Sequence, residues 1–503
     1  MKLANHYILC LALVVSLFAT SCSDSYLETT PTDAISDATV SSSVSSLYIA
    51  LNGIHRKMVS QDLSLQSLGG EPGFMIARDA QADDMTWTTN SWYKINLNWS
   101  VNANATSDYN TGIWETYYKF ILNANKILEA LATVDTTNAS DATLAKRIKG
   151  ECLCIRAWSH FQLVQYYAKA YVNGVTNTQL GVPYKESAST ENVARNTVEE
   201  VYTKINADLT QAIPLLSGYS AEVNHYTEKV AWGLKARVAL TQQDYKNAGD
   251  YAVKAINLAE NEGYSMMTYA QAATAPSTSL FADITSDTKE ALYAALTQDD
   301  QTVYFYSFYA YLSWNFNSTA IRQGTKCISQ STYDLMSSTD IRRTWWDPTG
   351  KLSVPTTSYV KAKYQNRKYT ARSTSNAVGD VAFMRLSELY LIAAEAYARA
   401  NENTLAKKYF LAFVAQRDPS YVDSGNTGSA LADEVMSHRR VELWGEGFRW
   451  FDLKRLNLPI NRSGSNFDIS FCGFLTKTQS EDGWCYEIPK DETDTNPLMI
   501  KNY

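Results

Sequence analysis

The chain has 503 residues, 45% hydrophobic and 19% charged, which is typical of a folded protein and excludes disorder over most of its length. Its formal net charge is -7 and the sequence has no basic stripe. We therefore expect no nucleic-acid partner, because an acidic surface repels phosphate. The 33 Tyr and 12 Trp suit either a sugar-binding surface or a helical core rich in aromatic rings.

The first residues are typical of a bacterial lipoprotein signal. Lys2 precedes an apolar run over 7–18, and small residues lead to Cys22. The run is too short to span a bilayer as a mature helix, but it suits a signal peptide. We predict that 1–21 is a signal peptide and that Cys22 carries lipid, although Ala19 stands where Leu is commonest. The alternative is an ordinary signal peptide with an incidental cysteine.

The remaining cysteines do not predict a disulfide framework, because five is an odd number. Cys472 and Cys485 could pair in an oxidising compartment, and the sequence leaves this open. Histidines are few and zinc-type spacing is absent, so the sequence predicts neither a metal site nor a cofactor.

Helical periodicity dominates the middle of the chain. Apolar residues recur at helical spacing over 113–134, 143–170 and 198–216, and Pro214 should bend or end the last of these helices.

Two later segments, 227–260 and 385–417, read as copies of one helix–turn–helix unit. In each a large residue precedes an alanine by four positions, as Trp232 precedes Ala236. The pattern resembles the tetratricopeptide repeat, in which small residues let two antiparallel helices approach closely. Stacked pairs of this kind bury a core and leave a face for a partner.

Two stretches, 62–112 and 264–380, lack helical periodicity and are too long for plain connectors, so we expect them to carry function. The predicted fold is mainly α, with tetratricopeptide-like helix pairs packed against a loop-rich, irregular half that has few short strands.

The segment HRRVELWGEGFRWFDLKRL at 438–456 resembles the signature of the SusD/RagB family of Bacteroidetes. Four further segments agree with the resemblance, as does the start CSDSYLE after the signal: FMRLSELYLIAAEAYARA at 383–400, VEEVYTKINADLTQAI at 198–213, IRAWSHFQLVQYYAKAY at 155–171 and YEIPKDETDTNPLMIKNY at 486–503. The resemblance covers essentially the whole mature chain.

The resemblance implies one SusD-like unit over 22–503, with an N-terminal part at 22–260 and a C-terminal part at 261–503. It implies a lipid-anchored, surface-exposed protein of the outer membrane. Such proteins bind glycans and deliver them to a TonB-dependent SusC-type transporter. A minority branch of the family, which is RagB-like, handles peptides.

The 438–456 motif also has a direct physical interpretation. On a single helix Arg439, Glu442, Glu446, Arg449 and Asp452 would form a ladder of charged pairs three or four residues apart. Paired carboxylates could instead indicate a glycosidase, but neighbouring arginines lower a carboxyl pKa where an acid catalyst needs a raised one. Motifs of hydrolases, kinases, zinc proteases and dinucleotide enzymes are absent, so we expect no enzyme.

Two clusters combine aromatic rings with polar side chains, as a sugar site requires. The first lies in 78–99, with Arg78, Asp83, Asp84 and Asn90 as its polar members, and the second lies in 304–323, with Asn315 and Asn317. The ligand-binding candidates are Trp87, Trp92, Tyr93, Trp99, Tyr309, Tyr311, Trp314 and Arg322, with Trp92 and Trp314 the first choices. Trp345 and Trp346 form a weaker third candidate.

Four functions remain open at this stage. The leading one is a glycan-capture lipoprotein; the others are a peptide-binding lipoprotein, a polysaccharide hydrolase and a scaffold that recognises only protein. The sequence does not identify the glycan or its linkage.

Overall fold

The computed structural model describes residues 43–60, 68–87, 89, 91–220, 222–284, 289–297 and 307–503. The predicted signal peptide, Cys22 and Asn90 lie outside the described residues. In the described part, none of the helices combines the length and the apolar character that crossing a membrane requires.

The fold is mainly α, as predicted. The described helices are α1 (Val44–Lys57), α2 (Gly70–Gln81), α3 (Lys94–Leu97), α4 (Asp108–Leu131), α5 (Ala139–Tyr167), α6 (Val198–Leu216), α7 (Glu228–Thr241), α8 (Tyr245–Asn261), α9 (Tyr269–Thr274), α10 (Phe308–Leu312), α11 (Thr319–Gly324), α12 (Gln330–Tyr333), α13 (Leu386–Arg399), α14 (Asn403–Val414), α15 (Gly428–Glu442), α16 (Arg449–Arg455), α17 (Ile469–Cys472) and α18 (Lys490–Thr495). Short 3-10 turns cover Ala275–Ser277 and Ile341–Trp345.

The strands are short and pair antiparallel. They are β1 (Met85–Thr86), β2 (Ala291–Ala295), β3 (Cys327–Ile328), β4 (Trp346–Asp347), β5 (Gln365–Asn366), β6 (Val381–Arg385), β7 (Ile460–Asn461) and β8 (Thr476–Lys477). One four-stranded sheet has the order β1-β3-β5-β4, and β2-β6 and β7-β8 form two-stranded sheets. The four-stranded sheet lies in the loop-rich half.

The long helices form a continuous row. Each of α4 to α7 packs on the next helix, α8 packs on α13, and α13 packs on α14 and α15. The two predicted repeat copies are therefore present as the pairs α7–α8 and α13–α14, which lie side by side. The three earlier predicted helices are α4, α5 and α6, with α6 running past Pro214 to end two residues later.

A close approach joins the two repeat pairs. A side chain on Gly249 of α8 would bring its Cβ to 2.7 Å from the ring of Tyr397 on α13. The hydroxyl of Tyr397 donates to Asp250 at 2.9 Å, so the ring is fixed from its far end as well. Glycine is thus required here because the tyrosine of one pair fills the space beside the other.

The sequence predicts an irregular segment over 62–112, and this is wrong for part of it. Helix α2 lies inside it, although its sequence contains Gly70, Pro72 and Gly73, which disfavour helix. Every residue of α2 is buried, so tertiary packing overrides local propensity. Gly70 begins the helix with φ +67, and a Cβ there would lie 2.3 Å from the carbonyl oxygen of Met58.

One hydrophobic core extends from Val44 to Met499 among the described residues. The boundary predicted near 260 therefore does not separate two hydrophobic cores. The five cysteines among the described residues are buried free thiols, so Cys472 and Cys485 are not paired.

The predicted one-helix ladder in 438–456 is wrong. Helix α15 ends at Glu442 and α16 begins at Arg449, because Gly445 and Gly447 adopt φ +85 and +79 in the turn between them. The charged side chains instead reach other elements. Arg449 pairs with Asp83 at 2.8 Å, Arg440 with Asp84 at 2.6 Å, and Arg439 with Asp452 at 2.9 Å.

The two glutamates of the motif lie in a buried ionic cluster. Glu442 accepts from Arg417 at 2.9 Å and from Arg385 at 3.2 Å. Glu446 accepts from Arg385 at 2.7 Å and from Lys368 at 2.8 Å. We call Glu442, Glu446, Arg385, Arg417 and Lys368 the ionic cluster. Arg385 at the end of β6 and Arg417, three residues after α14, belong to the row of long helices, which we call the repeat row, and Lys368 belongs to the loop-rich half. The ionic cluster therefore joins these two parts.

Glu446→Gln is predicted to destabilise the fold by about 3 kcal/mol, because removing one member of a buried ion pair leaves its partners uncompensated. The matched control is Glu115→Gln, which breaks the exposed pair with Lys119 and should leave the melting temperature unchanged. Urea denaturation and thermal melting measure both. Equal, small effects of the two substitutions would contradict the structural role of the ionic cluster.

Candidate functional site

The predicted ligand residues lie around α10, α11 and the β1–β3 pair. The structure separates them by exposure. Five of the aromatic candidates are buried, with 0% to 7% of their surface exposed: Trp87, Tyr93, Trp99, Tyr309 and Tyr311. Trp92, Trp314 and Arg322 are half-buried. A ring must offer an exposed face to stack on a sugar, and the five buried rings offer none in this structure.

Trp87 is covered by a lysine. The ammonium of Lys326 lies 3.7 Å from the centre of the Trp87 ring and donates to the carbonyl of Trp92 at 3.3 Å. Burial lowers the pKa of Lys326 to about 7, although the neighbouring Cys327 opposes the shift. This lysine links the strand that carries Trp87 to the loop that carries Trp92.

Trp99 belongs to the core of the loop-rich half. Its indole nitrogen donates to the carbonyl of Gln81 at 2.8 Å, and its ring lies edge-on to Trp484 at 4.9 Å. Its backbone adopts φ +58, and that of Tyr93 adopts φ +70. Two left-handed aromatic residues so close together bend 91–99 into the compact shape that its burial requires.

Helix α10 is anchored by its tyrosines. The hydroxyl of Tyr309 lies 3.0 Å from the carbonyl of Asp380 and also contacts the carbonyl of Phe281. The ring of Tyr311 lies edge-on to Tyr93 at 5.4 Å. These contacts hold α10 against residues 91–99. The helix is only five residues long, so tertiary contacts fix its position.

Trp92 lies against this anchored helix. Its ring centre is 6.1 Å from that of Tyr311, with the planes inclined by 55°. The tryptophan is half-buried, so it presents part of its ring at the surface on a fixed base.

Trp314 follows α10 directly and is held from two sides. Its indole nitrogen donates to the hydroxyl of Thr370 at 2.8 Å, and the guanidinium carbon of Arg367 lies 4.3 Å from its ring centre. Both contacts fix the ring orientation, which lowers the entropic cost of binding a ligand against it.

Arg322 lies on α11, which packs on α10. Its side chain contacts the hydroxyl of Thr319 at 3.3 Å and the carbonyl of Ser318 at 3.4 Å, both from its own turn. Within the described ranges no carboxylate pairs with it. Its guanidinium therefore keeps donors for the hydroxyl or carboxyl oxygens of a ligand. We call Trp92, Trp314 and Arg322 the surface triad.

The polar companions predicted beside these residues mostly serve the interior. Arg78 pairs with Glu71 at 2.6 Å, while Asp83 and Asp84 hold the arginines of the 438–456 motif. Asn315 exchanges hydrogen bonds with the backbone of Ala371. Their role is structural because each is buried with its partners.

Trp345 and Trp346, the weaker candidates, are buried as well. Their exposed fractions are 0% and 1%, and the indole nitrogen of Trp345 donates to the carbonyl of Ala272 at 2.8 Å. Both rings pack in the core beneath the four-stranded sheet.

The structure has a further cavity that the sequence does not predict. It has a volume of about 320 Å³ and combines rings with polar groups at its wall, among them Trp114, Tyr118, Lys185 and Glu492. The two rings lie 4.8 Å apart between centres. The sequence does not reveal this cavity, because Trp114 and Tyr118 lie on α4, whose apolar periodicity predicts core positions. Glu492 comes from α18, near the end of the sequence.

The motif glutamates do not form a catalytic pair. Burial opposes ionisation of Glu442 and Glu446, but Arg417 and Arg385 outweigh it and hold both pKa values below the usual range. The cavity beside Glu446 measures about 60 Å³, room for a few water molecules and not for a sugar ring. Neither glutamate therefore has the raised carboxyl pKa that an acid catalyst needs.

Comparison with known proteins gives consistent similarities. Residues 63–240 match a family model described as starch-binding and associating with the outer membrane, and 242–503 match a model described as the SusD family. A SusD-like protein of Bacteroides ovatus is 24% identical over 488 residues, which span 89% of this chain and 81% of the relative.

Solved structures show the same fold. A putative sugar-binding protein of Bacteroides vulgatus has a TM-score of 0.76 at 26% identity, covering 92% of this chain and 98% of the other. A SusD superfamily protein of the same organism has a TM-score of 0.77 at 24% identity, covering 92% and 99%.

Lys326→Met is predicted to change the pH dependence of stability. With its pKa lowered to about 7, the buried lysine carries a full charge penalty in the folded state below pH 7, and the penalty falls as pH rises toward the unfolded value of 10.5. The melting temperature of the variant relative to the wild type should therefore be highest below about pH 7 and should decline from about pH 7 to about pH 10.

The exposed Lys351→Met variant controls for the loss of one lysine. A difference between Lys326→Met and wild type that stays constant across this pH range would show that Lys326 carries no such penalty.

Proposed function

We propose, from the premise that this chain belongs to the SusD family, that it captures glycans at the cell surface and is not an enzyme. The observation that carries the proposal is the surface triad. Two half-buried tryptophans are held by contacts with Tyr311 and Thr370, and the neighbouring helix α11 carries an arginine that pairs with no described carboxylate. Rings supply stacking faces for sugar C–H groups, and the guanidinium donates to hydroxyl oxygens.

Two comparisons support a sugar ligand. The relative of known structure at 26% identity is described as a putative sugar-binding protein, and the model matching 63–240 is described as starch-binding. The cavity lined by Trp114 and Tyr118, with a volume of about 320 Å³, is a second place where a sugar would fit.

A peptide is the second candidate ligand. Arg322 favours it to the extent that a guanidinium binds a carboxylate in a two-pronged geometry better than it binds a hydroxyl. An array that carries both oligosaccharides and acidic peptides distinguishes the two ligands.

The proposed setting is the outer membrane, with lipid on Cys22 and a TonB-dependent SusC-type transporter as the partner that receives the glycan. The lipoprotein-like start and the description of the 63–240 model as associating with the outer membrane support it. The exposed sides of the helix row are the surface on which we expect the transporter to contact the chain.

Trp92→Ala and Trp314→Ala are each predicted to weaken glycan binding at least tenfold, since a stacked ring contributes about 1–3 kcal/mol. Isothermal titration with an oligosaccharide identified on the array measures the change. Both variants should melt within a few degrees of the wild type. Trp232→Ala, which removes a half-buried tryptophan from the repeat row, is the matched control and should bind normally.

Normal binding by both variants would contradict the surface triad as the site. Tyr118→Ala would then show whether the cavity lined by Trp114 and Tyr118 holds the ligand. Unfolding of both variants would mean that the two rings are core residues, as Trp99 is.

Cys22→Ala is predicted to release the protein from the membrane fraction or to stall removal of 1–21, because no other cysteine stands behind a signal segment. Fractionation, with mass spectrometry of the N-terminal peptide of the wild type, measures both effects. Cys472→Ala, which removes a buried thiol, is the control. Full membrane retention of the variant and an unacylated wild type would together refute the lipid anchor.

A further inference from the structure

Two histidines and a glutamate that are far apart in sequence meet at one point. His55 lies near the end of α1, Glu151 in α5, and His225 in the segment before α7. Among the described residues this is a group of metal-binding side chains whose ligand atoms all lie within 4.8 Å of one another. Glu151 is fully buried, and the side chains of His55 and His225 are 8% and 9% exposed.

One nitrogen of each histidine lies close to the same carboxylate oxygen of Glu151. Nε2 of His55 is 3.1 Å from Oε2 of Glu151, and Nδ1 of His225 is 3.0 Å from the same oxygen. In a tetrahedral zinc site with bonds of about 2.1 Å, neighbouring ligand atoms are about 3.4 Å apart. Both nitrogen–oxygen distances are therefore within a few tenths of an ångström of this spacing, and all three ligand atoms lie within 4.8 Å of one another.

The far side of each ligand is already held. The hydroxyl of Tyr293 lies 3.1 Å from Nδ1 of His55, and that of Tyr48 lies 3.3 Å from Nε2 of His225. Metal-binding histidines are oriented in this way by a partner on the second ring nitrogen. Arg147 donates to the other oxygen of Glu151 at 3.0 Å, which leaves Oε2 as the single ligand atom of the carboxylate.

A cavity of about 310 Å³ adjoins the group and has both histidines in its wall, with Asn52, Asn224 and Phe383. It provides space for a water molecule as the fourth ligand. Two imidazoles and one carboxylate suit zinc or a similar transition-metal ion, whereas calcium and magnesium prefer oxygen ligands throughout.

We propose that His55, Glu151 and His225 form a zinc-binding site with a water molecule from the adjoining cavity as fourth ligand. The site ties the first described helix to the repeat row. It is independent of the surface triad, which lies in the loop-rich half. Sequence spacing could not reveal it, because 96 residues separate His55 from Glu151 and 74 separate Glu151 from His225.

The test is metal binding to the purified protein after removal of bound ions with a chelator. Titration with zinc should show one saturable site per chain and a raised melting temperature, and calcium and magnesium should produce neither. His225→Gln and His55→Gln should each weaken zinc binding at least tenfold. His160→Gln, which changes a buried histidine outside the group, should bind zinc as the wild type does. Unchanged zinc binding by the first two variants, or no binding by the wild type, would overturn the proposal.

Measurements on the unaltered protein cover the case in which the variants do not fold. Cobalt should give the visible absorption of a tetrahedral nitrogen and oxygen site, and zinc should displace it. Anomalous diffraction at the zinc edge should place the ion between His55, Glu151 and His225, and an ion found only elsewhere would refute the site.

Discussion

The rest of the structure depends on the buried ionic cluster. Arg385 stands where β6 meets α13, and its guanidinium reaches both Glu442 and Glu446. A buried charge without a partner would cost several kcal/mol, so each member fixes the positions of the others. Because Arg385 belongs to the repeat row and Lys368 to the loop-rich half, the cluster sets how the two parts of the molecule meet.

The turn after Glu442 connects the ionic cluster to α2 and β1, which precede Trp92 in the chain. Asp79 at the end of α2 accepts from the backbone of Gly445 at 2.6 Å and of Gly447 at 3.1 Å. Asp84 then holds Arg440, and β1 follows immediately, pairing with β3. From β1 the chain runs to Trp92. These buried polar contacts position β1, and the ring of Trp92, which we propose for ligand binding, lies against Tyr311.

The repeat pairs could be predicted because their signal is local. Periodicity and the spacing of Trp232 from Ala236 depend on neighbours within one helix pair. Helix α2 could not be predicted, since its glycines and proline are tolerated only because the other elements enclose it. The break at Gly445 and Gly447 was equally hidden. The charge spacing on both sides fits a continuous helix. In the structure Arg439 instead pairs with Asp452 across the turn, and Arg449 pairs with Asp83 from the N-terminal part of the chain.

For the site, composition identified the right regions but not the exposed residues. Trp87 and Trp92 have similar polar neighbours in the sequence, yet only Trp92 keeps part of its ring at the surface, because Lys326 and the β1–β3 pair enclose Trp87. Exposure depends on which distant segment covers a ring, and a single sequence does not contain that information. The His55, Glu151 and His225 group was missed for the same reason.

The contacts between Asp79 and the glycines of the 443–448 turn join residues 366 and 368 positions apart. During synthesis, the N-terminal quarter of the chain must therefore wait for almost all of the remainder before its buried helix α2 can be enclosed. Contacts of such sequence separation make folding slow, because the cost of closing a long loop comes before any gain from packing. Until the last helices are made, α2 can pack on α4, where Tyr109 and Tyr117 lie against Phe74, but its other side remains uncovered. The nascent chain needs protection from aggregation for that interval.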